Sequence, residues 1–595
     1  MSNTLSMNSR FKSFFLLVSI NRKHLIYLFS TVGICWIGVW RDIGNGAQWA
    51  FANNCIGFCL LPMILCRFSI KDFLKLPYAV WSVVYTTCAI PICRDLLPGT
   101  DYNAQIISGA IIAGLYGLIA IRLFIYIFIE KSVQKKNLSI IFWLWLGMML
   151  FCCISRNMAF WPFWYLVMFG TYYLAPVSKS DMMEMVKGIA DGIIISFFWV
   201  QSRAFLYRPY DYGGGGRYVG HFTNSNVNAM FYQLSLSGLL TRFWIVSKSD
   251  VLKGTIKKVV SLLLFFLSVS ILDFVFYTGS RGAMLSTFGM IAIYIVADAF
   301  YYSNKRLRTV FMKSLMTMIV IIVMLYPVYA CIRYIPALRH HPIWYRDYSE
   351  SKVHSFDPID SDKYVSFEDA LNAGGLSRAI GMFKSSDIDS GFVESSACSL
   401  SRLGALGIEA GLLRQPLLTP VVVKEYPGGT WVYEYDDGVE PGTDNTHSAF
   451  INVEWDKVKS VRFFIWKYFI ERLNFLGHEE VYISIYAGDF FGHAHNTFLQ
   501  IAYLFGVPAG LLFVLIVICG IVLSFNRLLE RKDVYSIIYF FPLVFLSGYF
   551  IFGLVECLAL TGEAVFTIMF LTLDILVNNS NIPFAEQKQL REDIL

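Results

Sequence analysis

The sequence is poor in charged residues, which make up 15% of its 595 residues, whereas hydrophobic residues make up 56%. A composition of this kind excludes an ordinary soluble domain. The twelve cysteines do not form a disulfide framework, because most lie in apolar stretches and none are paired at the CxxC spacing of a metal knuckle. The glycines at 213–216 are not part of a βαβ unit, which excludes a dinucleotide-binding loop.

Apolar stretches recur along the chain, and each is long enough to form a helix that crosses about 30 Å of hydrocarbon. They are 25–40, 48–66, 77–93, 105–129, 138–155, 157–175, 188–207, 226–241, 259–277, 282–302, 311–332, 497–524, 535–552 and 555–578. The first stretch is short and the last two nearly join, so we expect about 12–14 transmembrane helices in an all-α polytopic membrane protein. The basic lead before the first stretch has no small-residue cleavage site, which predicts an anchor instead of a cleaved signal peptide.

Lysine and arginine residues are distributed unequally between alternate connections. One set of short connections holds nineteen of them, and the other set holds six: Arg41, Arg94, Arg156, Arg208, Arg217 and Arg281. The richer set is cytoplasmic by the positive-inside rule. The net charge of +6 is therefore a topology signal, and we expect no nucleic-acid partner.

This orientation divides the chain into five parts. Residues 1–24 and 579–595 are predicted to be cytoplasmic segments, 25–332 to hold helices 1–11, and 496–578 to hold helices 12–14. Residues 333–495 form one large extracytoplasmic loop. Because a structureless loop of this length is rare, we expect a small subdomain of mixed α+β character there.

Two segments of the large loop have clear periodicity. Residues 420–438 alternate β-branched and aromatic residues around Pro427-Gly428-Gly429, which predicts a hairpin. Residues 453–477 repeat apolar residues at intervals of three and four, which predicts an amphipathic helix that lies on the membrane or caps a cavity.

Basic side chains lie beside glycine-rich turns on the predicted outer side. Arg217 and His221 follow the glycines at 213–216, where the plainest interpretation is a flexible turn before a helix capped by Asn224 or Ser225. Arg281 lies between two apolar stretches, where an arginine can simply snorkel. The functional alternative is that Arg217 and Arg281 line one cavity and bind a phosphate group.

Charged residues also lie within or near the ends of apolar stretches. Arg203, Asp273, Glu556 and Glu563 are in this position. Charges at such depth usually face a cavity or a partner, and for Asp273 we expect an arginine partner.

His493 and His495 stand where the large loop enters a membrane helix. A single histidine there is more often a capping residue, but near neutral pH imidazole is well suited to accept a proton from a hydroxyl. Metal-binding histidines on a helix are four residues apart, and no carboxylate lies nearby in the sequence. We therefore predict no metal site.

Four segments together resemble motifs of the bacterial O-antigen ligase and polysaccharide polymerase superfamily, in the order expected of that family. They are Arg217 with Gly220-His221-Phe222 and Asn226, Arg281-x-x-x-Leu285, Arg462-x-x-x-Trp466, and His495-Asn496 followed nine residues later by Gly506. The likeness covers 203–510, and the first six helices match only in hydropathy. Ala509 departs from the family's pattern, which has glycine or threonine there.

The resemblance implies a GT-C-like glycosyltransferase of the bacterial inner membrane. Such an enzyme moves a glycan from an undecaprenyl-diphosphate-linked oligosaccharide donor to a hydroxyl of a glycan or lipid-linked acceptor on the outer face, without a metal or other cofactor. The catalytic residues would be His495 and Arg281. The substrate-binding residues would be Arg217, Arg203, His221, Asn226, Arg462 and Asn496.

Several alternatives to this assignment remain open at the level of sequence. The motifs fit a ligase and a polymerase equally, and the enlarged region 340–450 has no assigned role. A lipid-linked glycan flippase without transferase activity also explains many helices and buried charges. A metal-dependent transferase would need acidic ligands on an early outer loop, where Asp42 and Asp95 each stand alone beside an arginine.

Overall fold

The structure is a computed structural model of the whole chain. It describes residues 21–43, 49–93, 101–129, 138–157, 159, 161–207, 217–222, 224–248, 254–302, 306–337, 343–347, 352–356, 421–426, 430–435, 461–479, 483–486, 489–491, 493–530, 534–558 and 564–578. The predicted segments 1–20, 357–420, 436–460 and 579–595 lie outside the described residues.

Helices account for nearly all of the described secondary structure. They are α1 (Arg22–Ile43), α2 (Trp49–Leu65), α3 (Leu76–Cys93), α4 (Asp101–Phe124), α5 (Ile140–Ile154), α6 (Trp161–Leu174), α7 (Lys179–Tyr207), α8 (Ser225–Lys248), α9 (Gly254–Thr278), α10 (Arg281–Tyr302), α11 (Arg306–Ala337), α12 (Val461–Glu471), α13 (Thr497–Phe505), α14 (Val507–Glu530), α15 (Phe540–Gly553) and α16 (Ala564–Val577). Short 3₁₀ segments cover Ile70–Phe73 and Val534–Tyr539, and a π-helical turn, Ile125–Ile129, extends α4.

Seven helical segments of the described residues are long and apolar enough to cross a membrane. They are Arg22–Trp40, Gln105–Ile129, Gly254–Thr278, Arg281–Tyr301, Arg308–Ile332, Val507–Glu530 and Tyr535–Gly553. Four further apolar helices are shorter. The chain is therefore an all-α polytopic membrane protein. The higher count of 12–14 spans stays a prediction, because α7 and α8 are long enough but less apolar.

The centre of the bundle is formed by α15 and α16. All residues of α16 are buried, and α15 is buried along almost its whole length. A helix that is apolar on every side packs in the middle of a bundle, whereas a helix with one apolar stripe packs at its edge. Residues 554–558, which follow α15, are consequently held near the middle of the bundle at one end of α15.

Close backbone approach joins α1 to α7. A Cβ added at Gly188 would come within 2.7 Å of the carbonyl oxygen of His24, and one at Gly192 within 2.7 Å of that of Leu28. The two glycines are one helical turn apart, so they form a smooth strip on α7. This is the small-xxx-small pattern by which membrane helices pack at short distance.

Buried ion pairs connect helices far from the turn between α15 and α16. Asp574 lies ten residues after the first residue of α16, which is about 15 Å along its axis. Its Oδ2 accepts a hydrogen bond of 2.7 Å from Arg67 Nη2, and both side chains are fully buried. Arg67 lies in the short connection after α2, one of the connections rich in lysine and arginine, and its side chain is nevertheless fully buried. Elsewhere, Asp298 pairs with Lys248 and Lys313 from two other helices.

The large loop contains three separate hairpins among its described residues. Strands β1 (Ile343–Asp347) and β2 (Lys352–Phe356) pair antiparallel, as do β3 (Val421–Tyr426) with β4 (Thr430–Tyr435) and β5 (Ile483–Tyr486) with β6 (Asp489–Phe491). The second pair matches the predicted hairpin. No strand of one described pair bonds to another pair, so the expected mixed α+β subdomain is not supported by the described residues.

Helix α12 packs on the helix that follows the large loop. Its apolar residues Ile465 and Phe469 form a small buried cluster with Ala494 and Tyr503. The predicted amphipathic helix is therefore confirmed from Val461 to Glu471. Its predicted last residues, 472–477, are not helical, and its predicted first residues, 453–460, lie outside the described residues.

The predicted continuous helix 497–524 is wrong, because the chain breaks at Gly506 into α13 and α14. Gly506 has a φ of 95°, and a Cβ there would lie 2.0 Å from the carbonyl oxygen of Phe475. Two backbone hydrogen bonds cross the same contact, from Val507 N to Asn474 O at 2.9 Å and from His478 N to Leu504 O at 3.2 Å. The break thus docks the end of the large loop against α13.

Candidate active site

The candidate active site is built around Glu556, in the turn that follows α15. Sequence analysis placed this residue inside a helix over 555–578, but α16 begins only at Ala564, and residues 559–563, including Glu563, lie outside the described residues. The side chain of Glu556 is only 7% exposed. Its backbone N–H donates to Phe552 O at 2.9 Å, which continues the hydrogen bonding of α15 and fixes where the carboxylate lies.

His495 forms a hydrogen-bonded pair with this carboxylate. Its Nδ1 lies 3.0 Å from Glu556 Oε1. Among the described residues His495 is the only non-glycine with a left-handed backbone, at a φ of 46°, which costs about 1–2 kcal/mol. Such strain persists where the surrounding structure enforces it, and it is concentrated at functional sites.

Hydrogen bonds from the neighbouring residues hold both partners in place. The hydroxyl of Thr497 donates to the carbonyl oxygen of Glu556 at 2.8 Å and accepts from Leu558 N at 2.8 Å. Asn496 caps α13 through its Oδ1, which accepts from two backbone N–H groups, while its Nδ2 donates to Leu554 O at 2.9 Å. Both polar atoms of the Asn496 amide are thus engaged within the protein, and its visible role is structural.

A second set of hydrogen bonds leads from Glu556 to an arginine. Asn226 Nδ2 donates to Glu556 Oε2 at 3.1 Å, and its Oδ1 accepts from Arg217 Nη2 at 3.0 Å. Arg217 Nε also donates to Thr278 O at 2.8 Å. Asn226 lies in the first turn of α8, where Asn224 accepts from its backbone N–H at 2.7 Å, so the cap that the sequence predicts is Asn224. Arg217, Asn226, Glu556 and His495 therefore form one connected chain.

Helix α12 adds a second arginine from the large loop. Arg462 Nη2 lies 3.7 Å from Glu556 Oε2, although the two residues are far apart in sequence. Trp466 follows one helical turn later, and its indole Nε1 is buried without a hydrogen-bond partner among the described residues. A buried donor without a partner is costly, which marks a place where a polar ligand group would be favourable.

Arg281 is the first residue of α10 and is exposed. The turn before it is in close contact with the hydrogen-bonded chain formed by Arg217, Asn226, Glu556 and His495. Gly279, with a φ of 63°, would place a Cβ 3.1 Å from Arg217 Nε, and Gly282 would place one 2.4 Å from Val555. Only glycine fits at these positions. The start of α10 therefore packs closely between Arg217 and the turn that contains Glu556.

Arg203 and His221 both lie beside a different side chain, Trp199. The guanidinium of Arg203 lies 5.5 Å from the centroid of the Trp199 ring, and the His221 ring lies 6.1 Å from the same indole. Trp199 lines an apolar cleft between α1 and α7 together with Trp36. The contacts shown by these two residues place them on Trp199 instead of on Glu556.

The electrostatic environment favours an ionised carboxylate beside a neutral imidazole. Burial opposes the charge on Glu556, but hydrogen bonds from the two histidines outweigh burial and hold the pKa of Glu556 below its ordinary value. Burial and the neighbouring His493 lower the pKa of His495. Glu556 acts in the opposite direction and offsets only part of this decrease. A neutral His495 that donates from Nδ1 to the carboxylate carries its lone pair on Nε2.

One donor atom from each of His493, His495 and Glu556 lies within 4.8 Å of the other two. His493 Nε2 is 3.6 Å from Glu556 Oε1, the oxygen that His495 also faces. The sequence offered no carboxylate near the two histidines, but the fold supplies one from 61 residues further along the chain. These three side chains are thus able to hold a metal ion.

No family model, curated protein or solved structure matches this chain. The resemblance of its four motifs to the O-antigen ligase and polymerase superfamily therefore remains a hypothesis. Functional inference depends on the residues and contacts of the site itself.

Glu556 is recognisable in the sequence as a charge in apolar surroundings, but the sequence does not bring it to the site. An acidic residue in apolar surroundings signals that a partner exists, yet the pattern does not identify a partner 61 residues away. For Asp273 the expected arginine is not found among the residues that the structure describes. Asp273 is fully buried in α9, and neither carboxylate oxygen has a hydrogen-bond partner among the described residues.

Proposed function

We propose that this protein is a metal-independent glycosyltransferase of the bacterial plasma membrane, related to O-antigen ligases and surface polysaccharide polymerases. It moves a glycan from an undecaprenyl-diphosphate carrier to an acceptor hydroxyl on the outer face, and both chain termini are cytoplasmic. The observation that supports the proposal best is the connected chain of Arg217, Asn226, Glu556 and His495, with Arg462 beside it.

His495 acts as the general base in this proposal. Glu556 accepts a hydrogen bond from the Nδ1–H of His495, which leaves the Nε2 lone pair to accept the proton of the acceptor hydroxyl. The deprotonated oxygen then attacks the anomeric carbon, and the bond from that carbon to the diphosphate oxygen breaks. General base catalysis of this kind contributes about 10²–10⁴-fold to the rate.

The arginines stabilise the leaving group. Negative charge develops on the lipid diphosphate as the glycosidic bond breaks, so preorganised guanidinium groups bind the transition state more tightly than the ground state. Arg217 is oriented by Thr278 and Asn226, and Arg281 follows the turn packed against it. Arg203, on Trp199 beside the apolar cleft, suits the lipid-proximal part of the donor.

Helix α12 contributes to glycan binding. The indole N–H of Trp466, which has no hydrogen-bond partner among the described residues, suits a sugar hydroxyl, and Arg462 lies one turn away on the same helix. The acceptor, whether a lipid core, a protein or another repeat unit, is bound by the large loop in this proposal. The mixed α+β character expected for that loop belongs to the same proposal.

Transfer by the purified full-length protein tests the proposal directly. In lipid nanodiscs containing a undecaprenyl-diphosphate-linked oligosaccharide and an acceptor glycan, the wild-type protein should release undecaprenyl diphosphate and lengthen the acceptor, with or without EDTA. His495→Ala should abolish both products. His478→Gln is the matched control, because His478 belongs to the same loop but stacks on Tyr503 and hydrogen-bonds to the carbonyl oxygen of Arg472 instead of to Glu556.

Two outcomes would contradict the proposal. Normal turnover by a folded His495→Ala protein would remove His495 from the mechanism. Movement of the lipid-linked glycan between leaflets without transfer would instead identify a flippase. Loss of transfer in EDTA would show that a metal takes part in the chemistry.

A further inference from the structure

We infer that His493, His495 and Glu556 form a binding site for a divalent transition-metal ion of the zinc class, and that the bound ion inhibits the proposed transfer. The binding part of this inference does not depend on the function, whereas the inhibitory part rests on the proposed role of His495 as a base.

The donor set matches the coordination chemistry of zinc. Two imidazoles and one carboxylate are a common three-ligand set for Zn²⁺, with a fourth position left for water. Tetrahedral zinc with bonds of about 2.0–2.1 Å separates neighbouring donors by about 3.3 Å. The Glu556 oxygen lies 3.0 Å from the His495 donor and 3.6 Å from the His493 donor, and all three donors lie within 4.8 Å of one another, so the two imidazoles must move closer together to bind zinc.

The neighbours of the cluster orient the carboxylate for this purpose. Asn226 and Arg462 both face Oε2 of Glu556, which leaves Oε1 directed at the two histidines. Outer contacts of this kind commonly orient metal ligands. The guanidinium of Arg462, whose Nη2 lies 3.7 Å from Oε2, repels a bound metal cation. This repulsion favours a site that binds the ion reversibly over one that is permanently occupied.

Metal binding and base catalysis exclude each other at His495. With Glu556 as its partner, the ring carries its proton on Nδ1 and its lone pair on Nε2. With a metal on Nδ1, the proton of the neutral ring moves to Nε2, and no lone pair faces the acceptor hydroxyl. Occupancy of the site should therefore stop proton transfer without displacing either substrate.

A substitution of His493 tests metal binding separately from proton transfer, because His493 contacts Glu556 but has no step in the proposed transfer. Co²⁺ is the spectroscopic probe, and it should bind the purified full-length protein in nanodiscs with visible absorption typical of tetrahedral coordination, from which Zn²⁺ displaces it. Loss of an outer partner alone weakens metal sites by about 10–100-fold, so loss of a ligand in His493→Ala should weaken Co²⁺ binding by more than about 100-fold. His478→Gln should bind Co²⁺ like wild type.

The activity assay supplies the second readout. Zn²⁺ should inhibit wild-type transfer reversibly, with activity restored by EDTA, whereas the transfer activity that remains in His493→Ala should resist Zn²⁺. Mg²⁺ and Ca²⁺ should have no effect, because they prefer oxygen ligands. Co²⁺ binding that His493→Ala leaves unchanged would overturn the inference. Co²⁺ binding that depends on His493 in a protein without transferase activity would uphold the site and refute the proposed function.

Discussion

Replacing Glu556 by glutamine is the most informative single perturbation of this site, because it removes a charge and leaves the volume almost unchanged. Glu556 Oε1 lies 3.0 Å from His495 Nδ1. At an effective dielectric constant of about 20, the carboxylate stabilises a protonated imidazole at this distance by about 5–6 kcal/mol. The His495 side chain is 30% exposed, so solvent screens part of the attraction. We expect a loss of about 3–4 kcal/mol, which corresponds to a decrease in kcat of about 10²–10³-fold.

The same substitution disturbs the hydrogen bonds on the other side of the carboxylate. A glutamine has one accepting oxygen, so it cannot accept from both His495 and Asn226 as the carboxylate does. If its oxygen faces His495, its amino group meets the amino group of Asn226, which must rotate and lose its bond to Arg217. We therefore expect weaker donor binding in addition to the lower kcat.

Steady-state transfer kinetics in nanodiscs measure both effects, and thermal unfolding verifies that the variant is folded. Glu184→Gln is the matched control, because Glu184 Oε2 lies 3.7 Å from His24 Nδ1 in a comparable pair at the beginning of α7. The control should transfer like wild type. A folded Glu556→Gln protein with wild-type kcat would refute the idea that the carboxylate orients His495.

Three further predictions concern other parts of the molecule. Arg281→Lys keeps the charge but loses the bidentate fork, so transfer should fall severely, and wild-type activity would mean that Arg281 only snorkels. Trp466→Phe removes the partnerless indole N–H, and one lost hydrogen bond of about 1 kcal/mol should raise the KM for the glycan about fivefold, whereas an unchanged KM would exclude Trp466 from binding. Asp574→Ala leaves Arg67 buried without its partner and should destabilise the protein by about 3–5 kcal/mol in unfolding measurements; an equally stable variant would show that the pair contributes little.

The helical architecture was predictable because a bilayer requires long apolar segments, and their positions are visible in composition alone. The break at Gly506 was not predictable in the same way, since residues 497–524 are apolar on both sides of it. Its cause is the backbone of 474–478, which approaches from another part of the chain. Local hydropathy contains no information about such a contact.

The candidate site was predictable only in part. His495 and Arg217 were selected because both lie at helix boundaries on the same predicted face, and in the structure Asn226 and Glu556 connect them through hydrogen bonds. Glu556 was assigned to a transmembrane helix, since its surroundings in sequence are apolar and its partners are distant. The arrangement of Arg203 and His221 around Trp199 depends on how α7 packs, which no periodicity specifies.

The contact between Gly477 and Gly506 has a mechanical consequence. A Cβ on Gly477 would lie 2.1 Å from Leu504 O, so the two strands of backbone are interlocked with no room for slippage. The segments that carry Arg462 and His495 are thereby packed against each other, so under the proposed function an outward movement of α12 that admits an acceptor would also move His495. Opening the site for loading and disarming its chemistry would then be one and the same movement.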